Sequence, residues 1–260
     1  MKIAVCMKQV PSIAGPLQID AASRWIREAD SAFETSSADI NALEEALRIK
    51  DKTGAEVVAV ALGAERVGIT LKEALAKGAD RAIHVVLPDA HQLDPRTVAL
   101  MLADALRADT LGEGSYDLIL AGSQSDDHGH AQTGVAMAEC MGWPHVSMVA
   151  ELVLGEGGRV RARRELESGW YQWMEFALPG VLTIQSGINK PRYAGMKGML
   201  AAKKKTIVCV NIVAPDLSSR QEAEQLYLPY KTKDIRMLEG SPADQAAALV
   251  DALNLRACLA

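Results

Sequence analysis

The run Gly122-Ser123-Gln124-Ser125-Asp126-Asp127-His128-Gly129-His130-Ala131-Gln132-Thr133 is the stretch of this chain best equipped to hold a small anion. Glycine and other small residues let backbone amides approach a ligand, and the hydroxyls add donors. The run leaves a buried-looking strand, Tyr116 to Ala121, and enters an alanine-rich helix over residues 131–141, so the amide end of that helix points at whatever the loop holds. Asp126 and Asp127 would repel a phosphate that they faced. They are read instead as caps of the helix or as partners for ribose hydroxyls. A polar strand-to-helix loop with no ligand uses the same residue types, and at this point both readings stand. Neither G-x-G-x-x-G after the first strand nor G-x-x-x-x-G-K-[ST] occurs, so the dinucleotide and P-loop fingerprints are absent. His128 and His130 need a third ligand to hold a metal, and His145 lies beyond the next helix, so no metal is expected. No G-x-S-x-G elbow and no assembled acid, base or nucleophile is present, and no independent catalysis is expected.

A second kind of chemistry lies between residues 184 and 205. The chain leaves a strand at Gln185, turns at Pro191, and runs through Tyr193, Met196, Met199 and Leu200 to Lys203, Lys204 and Lys205. Soft apolar side chains without polar cover, beside positive charge, suit a surface that docks partners, because methionine repacks easily. A short core helix with a solvated basic end gives the same pattern. Trp170 and Trp173 have two readings as well, structural or interfacial.

These segments need a scaffold. Nearly half of the 260 residues are apolar and only 4% are aromatic, which predicts an aliphatic core of helices packed on a sheet. The net charge of −5 argues against nucleic acid as a partner. Cys6, Cys140, Cys209 and Cys258 lack C-x-x-C spacing and read as reduced thiols. No apolar run reaches the roughly 18 residues that cross a bilayer, and the opening MKIAVCMKQV lacks the form of a signal peptide. A bacterial cytoplasmic protein with no membrane insertion is expected.

Strands are predicted at Lys2–Met7, Glu56–Leu62, Arg81–Val86 and Tyr116–Ala121, with helices between them. The helices carry Ile40, Leu43, Leu47 and Ile49, then Leu71, Leu75 and Ala76, then Thr97–Ala108. Ser37 or Asp39 is expected to cap the first and Asp94 the third. Residues 10–36 read as irregular. Alternating strands and helices of this length predict a parallel sheet with crossover connections and ligands at the carboxyl edge of the strands. After Trp143-Pro144 the rhythm changes, and strands at 146–154, 160–165, 171–177 and 180–185 read as an antiparallel addition. Beyond Pro215 a polar linker leads to a helix over residues 242–255, which either folds back on its own domain or packs on another subunit. The division expected is an α/β domain over 1–214 and a linker with a helical arm over 215–260.

Several of these phrases together resemble the beta subunit of electron-transferring flavoproteins. They are the opening K-I-A-V-C-M-K-Q-V, the helix Asn41 to Lys50, E-A-L-A-K-G-A-D-R-A at 73–82, Gly122 to Gly134 with Gly142-Trp143-Pro144, Arg163-Arg164-Glu165 before Gly169, and the N-K-P-R-Y loop of residues 184–205. The resemblance implies a Rossmann-like fold of the adenine nucleotide-binding type, with the appended antiparallel strands and a C-terminal helical arm. It implies AMP in this subunit and FAD held mainly by an alpha subunit in a heterodimer. A primary flavin dehydrogenase donates the electrons, and a quinone oxidoreductase lies downstream toward the respiratory chain. Carried over by position, the AMP pocket uses Cys6, Ser36, Ser37, Ala38, Asp39, Leu62 and the loop from Gly122 to Thr133. Glu165 corresponds to a residue that pairs with an arginine of the alpha subunit. Met196 stands at the apolar anchor of the family's recognition loop, with Tyr193, Met199 and Leu200 beside it.

The chain departs from the family pattern at Ser36-Ser37 and at Asp126-Asp127-His128-Gly129-His130. AMP and a second, bifurcating FAD therefore stay open as the bound nucleotide. An adenine-nucleotide sensor of the universal-stress type is the alternative from another class. The wording S-G-I-N-K-P-R-Y resembles the subgroup that serves methylated-amine dehydrogenases.

Overall fold

The computed structural model describes residues 1–15, 17–20, 25–109, 111, 114–212, 223–228 and 235–253. The chain divides into two compact units, Met1–Gln225 and Leu226–Ala260. The first unit begins with β1 (Lys2–Cys6), β2 (Gln9–Pro11), β3 (Phe33–Thr35), α1 (Ser37–Thr53), β4 (Glu56–Gly63), α2 (Gly68–Lys77), β5 (Arg81–Val86), α3 (Pro95–Arg107), β6 (Leu118–Gly122) and α4 (Thr133–Met141). It continues with β7 (His145–Leu154), β8 (Arg159–Glu165), β9 (Tyr171–Ala177), β10 (Gly180–Ile184), α5 (Met196–Ala202) and β11 (Ile207–Val210). The second unit holds α6 (Pro242–Ala252), started by a capping box in which Ser241 and Asp244 bind each other's backbone amides.

The main sheet runs in the order β11-β5-β4-β1-β6-β10-β7-β8-β9. It is parallel from β11 to β7, and β8 and β9 are antiparallel additions at one edge. Alternation along the central strands explains the layers. Ile3, Val5, Val57, Ala59, Leu118 and Leu120 face one way and pack with Leu43 and Leu47 of α1 and Leu71 and Leu75 of α2. Ala4, Cys6, Val58, Val60, Ile119 and Ala121 face the other way, onto Met101 and Leu102 of α3 and Met137 of α4. A strand buried on both faces must be apolar throughout, as β4 is. Among the described residues no helix is long and apolar enough to cross a membrane.

The parallel α/β fold with antiparallel additions matches the expectation, and four details correct it. The stretch 10–36 is not wholly irregular, because β2 and β3 pair antiparallel, Gln9 with Thr35 through Pro11 with Phe33. Only β8 and β9 are antiparallel additions; β10 lies between β6 and β7 and runs parallel to both. The C-terminal end of the first unit adds an unforeseen strand, β11, beside β5. Ala131 and Gln132 precede α4 instead of joining it. The polar stretch 215–222 and residues 254–255 of the expected arm lie outside the described residues, as does Cys258.

Candidate functional site

Asp39 holds the carboxyl edge together. It stands in the first turn of α1, is only 7% exposed, and accepts the Lys8 amide at 2.8 Å and the Gly122 amide at 2.8 Å. One carboxylate thereby ties the ends of β1 and β6 to the start of α1. Burial pushes its carboxyl up to about 7, against the two amide bonds that favour the charged form. Gly122 is required by close approach: a Cβ there would lie 2.6 Å from Asp39 Oδ1 and 2.8 Å from the Ala38 Cβ.

The two loop aspartates do not cap the helix that follows them. Asp126 accepts the Ser37 amide at 2.7 Å and the Ser37 hydroxyl at 2.9 Å, so it closes the N-terminus of α1 from a distant loop. In return the Asp126 amide donates to Ser36 Oγ at 3.3 Å. Neither Ser37 nor Asp39 caps α1 as expected, and the N-cap, Ser36, makes no side-chain cap bond. Asp127 pairs with Lys8 Nζ at 2.8 Å. Burial opposes its charge, yet hydrogen bonds from His128, Lys8 and Ser125 hold the carboxyl well below the usual range.

The loop borders a cleft that meets solvent. A largely apolar cleft with a few polar groups is where small ligands usually bind. Cys6, Asp39, Leu62 and Ala121 line it, with Gly122 to Ser125 and Ala131 to Gly134. The N-cap of α4, Gln132, makes no side-chain cap bond. Gln132, Thr133 and Gly134 at the start of α4, where first-turn amides have no intrahelical acceptors, line the same cleft. Ala131 reaches the helix in the left-handed region, at φ 55°, an uncommon conformation for a residue with a Cβ. Positive charge comes from Lys8 and Arg66. Cys6 Sγ lies 3.4 Å from Met137 Sδ, and burial pushes its thiol far up, so it contributes a neutral surface and no nucleophile.

A set of stacked rings also lines the cleft. Trp25 stacks on His91 at 4.7 Å between centroids and on His128 at 5.4 Å, and His128 stacks on His130 at 5.3 Å. Trp25 Nε1 donates to Glu28 at 3.0 Å, and Glu28 pairs with Arg66 at 2.7 Å. Arg66 in turn donates to Gln9 at 2.8 Å and covers the Phe33 ring at 3.9 Å.

Of the residues expected at the site, Cys6, Asp39, Leu62, Gly122, Ser123, Gln124, Ser125, Asp127, His128, His130, Ala131, Gln132 and Thr133 line the cleft. Ser36, Ser37, Ala38, Asp126 and Gly129 do not; the serines and Asp126 are spent on one another, and Ala38 packs beneath Gly122. Sequence reasoning missed Gln9, Trp25, Phe33, Arg66 and His91. Each follows a strand or lies on the β2–β3 excursion, so a search of every carboxyl-edge loop for aromatic and basic residues would have gathered them. Among the described residues no three His, Cys, Asp or Glu side chains converge as a metal site.

A second surface lies on the recognition segment. Tyr193 is 93% exposed and Met196 78%, and Met199 and Leu200 are exposed beside them. Only Ala202 of α5 is buried, which decides against the core-helix reading. The segment is held at its base, and α5 packs on α2 where Gly198 meets Ala76, while Tyr193 and Met196 stay exposed. Asn189 and Asn41 exchange hydrogen bonds, the Asn41 amide donating to Asn189 Oδ1 at 2.9 Å and the Asn189 amide to the Asn41 carbonyl at 2.9 Å. Arg192 donates through its backbone and its side chain to Glu44, each at 2.9 Å, and to Asp51 at 2.8 Å.

Glu165, at the end of β8, accepts from Gln185 at 3.1 Å, and Gln185 accepts from the Ser123 hydroxyl at 2.8 Å, which links it to the cleft. Near it Trp170, Tyr171, Trp173 and Met174 are exposed along β9, the edge of the sheet. Arg161 lies over Trp173 at 4.9 Å and Arg163 over Tyr171 at 4.6 Å. The Nε atoms of Arg163 and Arg164 are buried and, among the described residues, without a hydrogen-bond partner.

Comparison with known proteins places this geometry in context. Residues 25–215 match the family described as the electron transfer flavoprotein domain. The chain is 36% identical over 265 residues to the electron transfer flavoprotein subunit beta of Methylophilus methylotrophus, covering 98% of each chain. It is 31% identical over 225 residues to the subunit beta of Bacillus subtilis, covering 84% of this chain and 85% of that one. The subunit beta of Sus scrofa is 37% identical over 184 residues, 69% of each.

Proposed function

The chain belongs to the electron transfer flavoprotein family, among its beta subunits, and we propose that it holds AMP in the carboxyl-edge cleft, joins an alpha subunit that carries FAD, and docks a flavin dehydrogenase through the recognition segment. The observation that carries the nucleotide is the start of α4, whose N-cap makes no side-chain cap bond, lining the cleft beside Gly122 to Ser125, with Asp126 spent on Ser37 and Asp127 paired with Lys8. Such a site suits one phosphate on backbone amides. Lys8 and Arg66 supply positive charge at the cleft, and apolar lining residues such as Leu62, Val67, Leu93, Val98 and Leu102 suit a purine.

The aromatic and arginine-rich face of β8 and β9 supports a permanent partner there. Aromatic residues and arginine concentrate where interfaces gain most of their energy. The alpha subunit is the occupant we assign to it, with Glu165 at its border. FAD on that subunit would supply the redox chemistry, and this chain would bind, orient and recognise. Electrons then pass to a quinone oxidoreductase, and the matching phrase S-G-I-N-K-P-R-Y supports a methylated-amine dehydrogenase as donor.

The experiment is release of ligands by heat from the heterodimer purified with its alpha subunit, followed by chromatography. One FAD and one AMP per heterodimer supports the reading. Two FADs and no AMP supports the bifurcating alternative. No adenine nucleotide beyond one FAD sinks the nucleotide site.

A further inference from the structure

We propose that the ring stack of Trp25, His91, His128 and His130 is the specificity-determining wall of the cleft, admitting a nucleoside monophosphate and excluding an extended dinucleotide such as FAD. The inference rests on the nucleotide reading above and adds what selects the nucleotide. The four rings come from three separate loops: Trp25 from the β2–β3 connection, His91 from the turn Ala90–Gln92 after β5, and His128 and His130 from the β6–α4 loop. All four line the cleft.

Their spacing decides how they act. An aromatic base inserted between two rings needs them roughly 7 Å apart, two van der Waals contacts in series. The pairs stand at 4.7, 5.4 and 5.3 Å with interplanar angles of 15°, 25° and 20°. No base fits between them, so the stack is a closed wall and not an intercalation site. The wall is braced by neighbouring residues. Trp25 is held by Glu28, Glu28 by Arg66, and Arg66 by Gln9 and Phe33. His128 Nδ1 lies 3.2 Å from Lys8 Nζ, which Asp127 fixes. Burial keeps His91 and His130 below the usual histidine range, so at neutral pH these rings stack uncharged.

A ligand that ends in one phosphate on the α4 amides leaves the wall intact. Where the chain of a diphosphate continues along the β6–α4 loop past Lys8 and His128, it has to part the rings and release their bracing. Loss of one ring pair should shift the preference between the two ligands by about tenfold.

The test uses the heterodimer with its alpha-subunit FAD in place and the AMP dialysed away under mild chaotrope. AMP and FAD are each titrated into wild type, Trp25→Ala and Trp25→Phe, and flavin per heterodimer is counted. Wild type should take AMP and no second FAD. Trp25→Ala should move the FAD-to-AMP affinity ratio at least tenfold toward FAD, and Trp25→Phe, which keeps a ring, should stay near wild type. If Trp25→Ala fails to assemble, His91→Ala removes the end ring and serves for the same comparison. A ratio unmoved by loss of the ring, with AMP still bound, overturns the wall and leaves the AMP reading standing. A Trp25→Phe ratio equal to that of Trp25→Ala also overturns it, as does a wild type that takes a second FAD. A wild type that binds neither ligand refutes the nucleotide reading itself and the wall with it.

Discussion

Asp39→Asn tests the junction on which the site is built. The replacement keeps the shape of the side chain and removes its charge. Asp39 Oδ2 accepts the Lys8 amide and Oδ1 the Gly122 amide, so whichever way an asparagine is turned, its NH₂ faces a backbone N–H. With the carboxyl protonated below about pH 7, one hydrogen bond to a neutral acceptor is lost, about 0.5–1.5 kcal/mol, and one buried amide is left unpaired, about 1–3 kcal/mol. A net loss of about 2–3 kcal/mol follows, or roughly 5–10 °C in the thermal midpoint of a chain this size.

The sign of the pH dependence is a second readout. Burial raises the folded Asp39 carboxyl from 3.8 to about 7. Its contribution to stability is therefore fully present below about pH 4 and is lost as the pH rises through about 7. Asparagine does not titrate, so the gap between wild type and variant should narrow from about pH 5 to about pH 8. The assay is the midpoint of the heterodimer at fixed concentration across that range, with AMP affinity measured alongside. An unchanged midpoint refutes the bridging role, and a gap that stays constant with pH refutes the raised carboxyl.

Two further perturbations probe the same frame. Gly122→Ala puts a Cβ against Asp39 and Ala38 and should cost about 1–3 kcal/mol by overpacking, with AMP lost because α1 and β6 separate; wild-type midpoint and affinity in this variant refute the close approach. Asp109 is nearly buried, and although burial opposes its charge, hydrogen bonds from Arg81, Tyr116 and Lys2 hold its carboxyl well below the usual range. Its contribution is present above about pH 4 and lost as pH falls, so Asp109→Asn should cost about 3 kcal/mol near neutrality and flatten the acid limb of the stability profile; an acid limb identical to wild type contradicts this.

The sequence carried the periodic elements well because burial on two faces leaves a strand no choice but apolar residues. Val57 to Leu62 of β4 was legible for that reason. The cap of α3 was legible too, since Asp94 bonds the Thr97 amide three residues on, at 2.8 Å. What could not be read was anything set by distant partners. The cap of α1 comes from Asp126, eighty-nine positions away along the chain, and no local motif announces it. The same holds for β10, whose neighbours β6 and β7 are chosen by topology and not by its own five residues. The ring stack joins four residues from three loops, and an aromatic fraction of 4% gave no local density to notice.

The recognition segment separates two ideas that the sequence alone left together. A buried methionine cut to alanine costs about 2–5 kcal/mol of folding stability. Met196 is 78% exposed, so Met196→Ala should leave the midpoint within about 0.5 kcal/mol of wild type. If it inserts into a pocket on the donor dehydrogenase, the loss appears in docking instead, about 2 kcal/mol or roughly thirtyfold in affinity. The fixed base supports this division: Asn189 and Arg192 hold the segment to α1, so little ordering entropy remains to be lost on binding. Lys203, Lys204 and Lys205 stand just beyond and should speed encounter with an acidic partner, an effect that salt screens. The measurement pairs the heterodimer's midpoint with the rate of electron transfer from the dehydrogenase at low and high salt. A transfer rate unchanged by Met196→Ala, at a dehydrogenase concentration below half-saturation, removes the anchor and leaves the exposed tip without a role in docking.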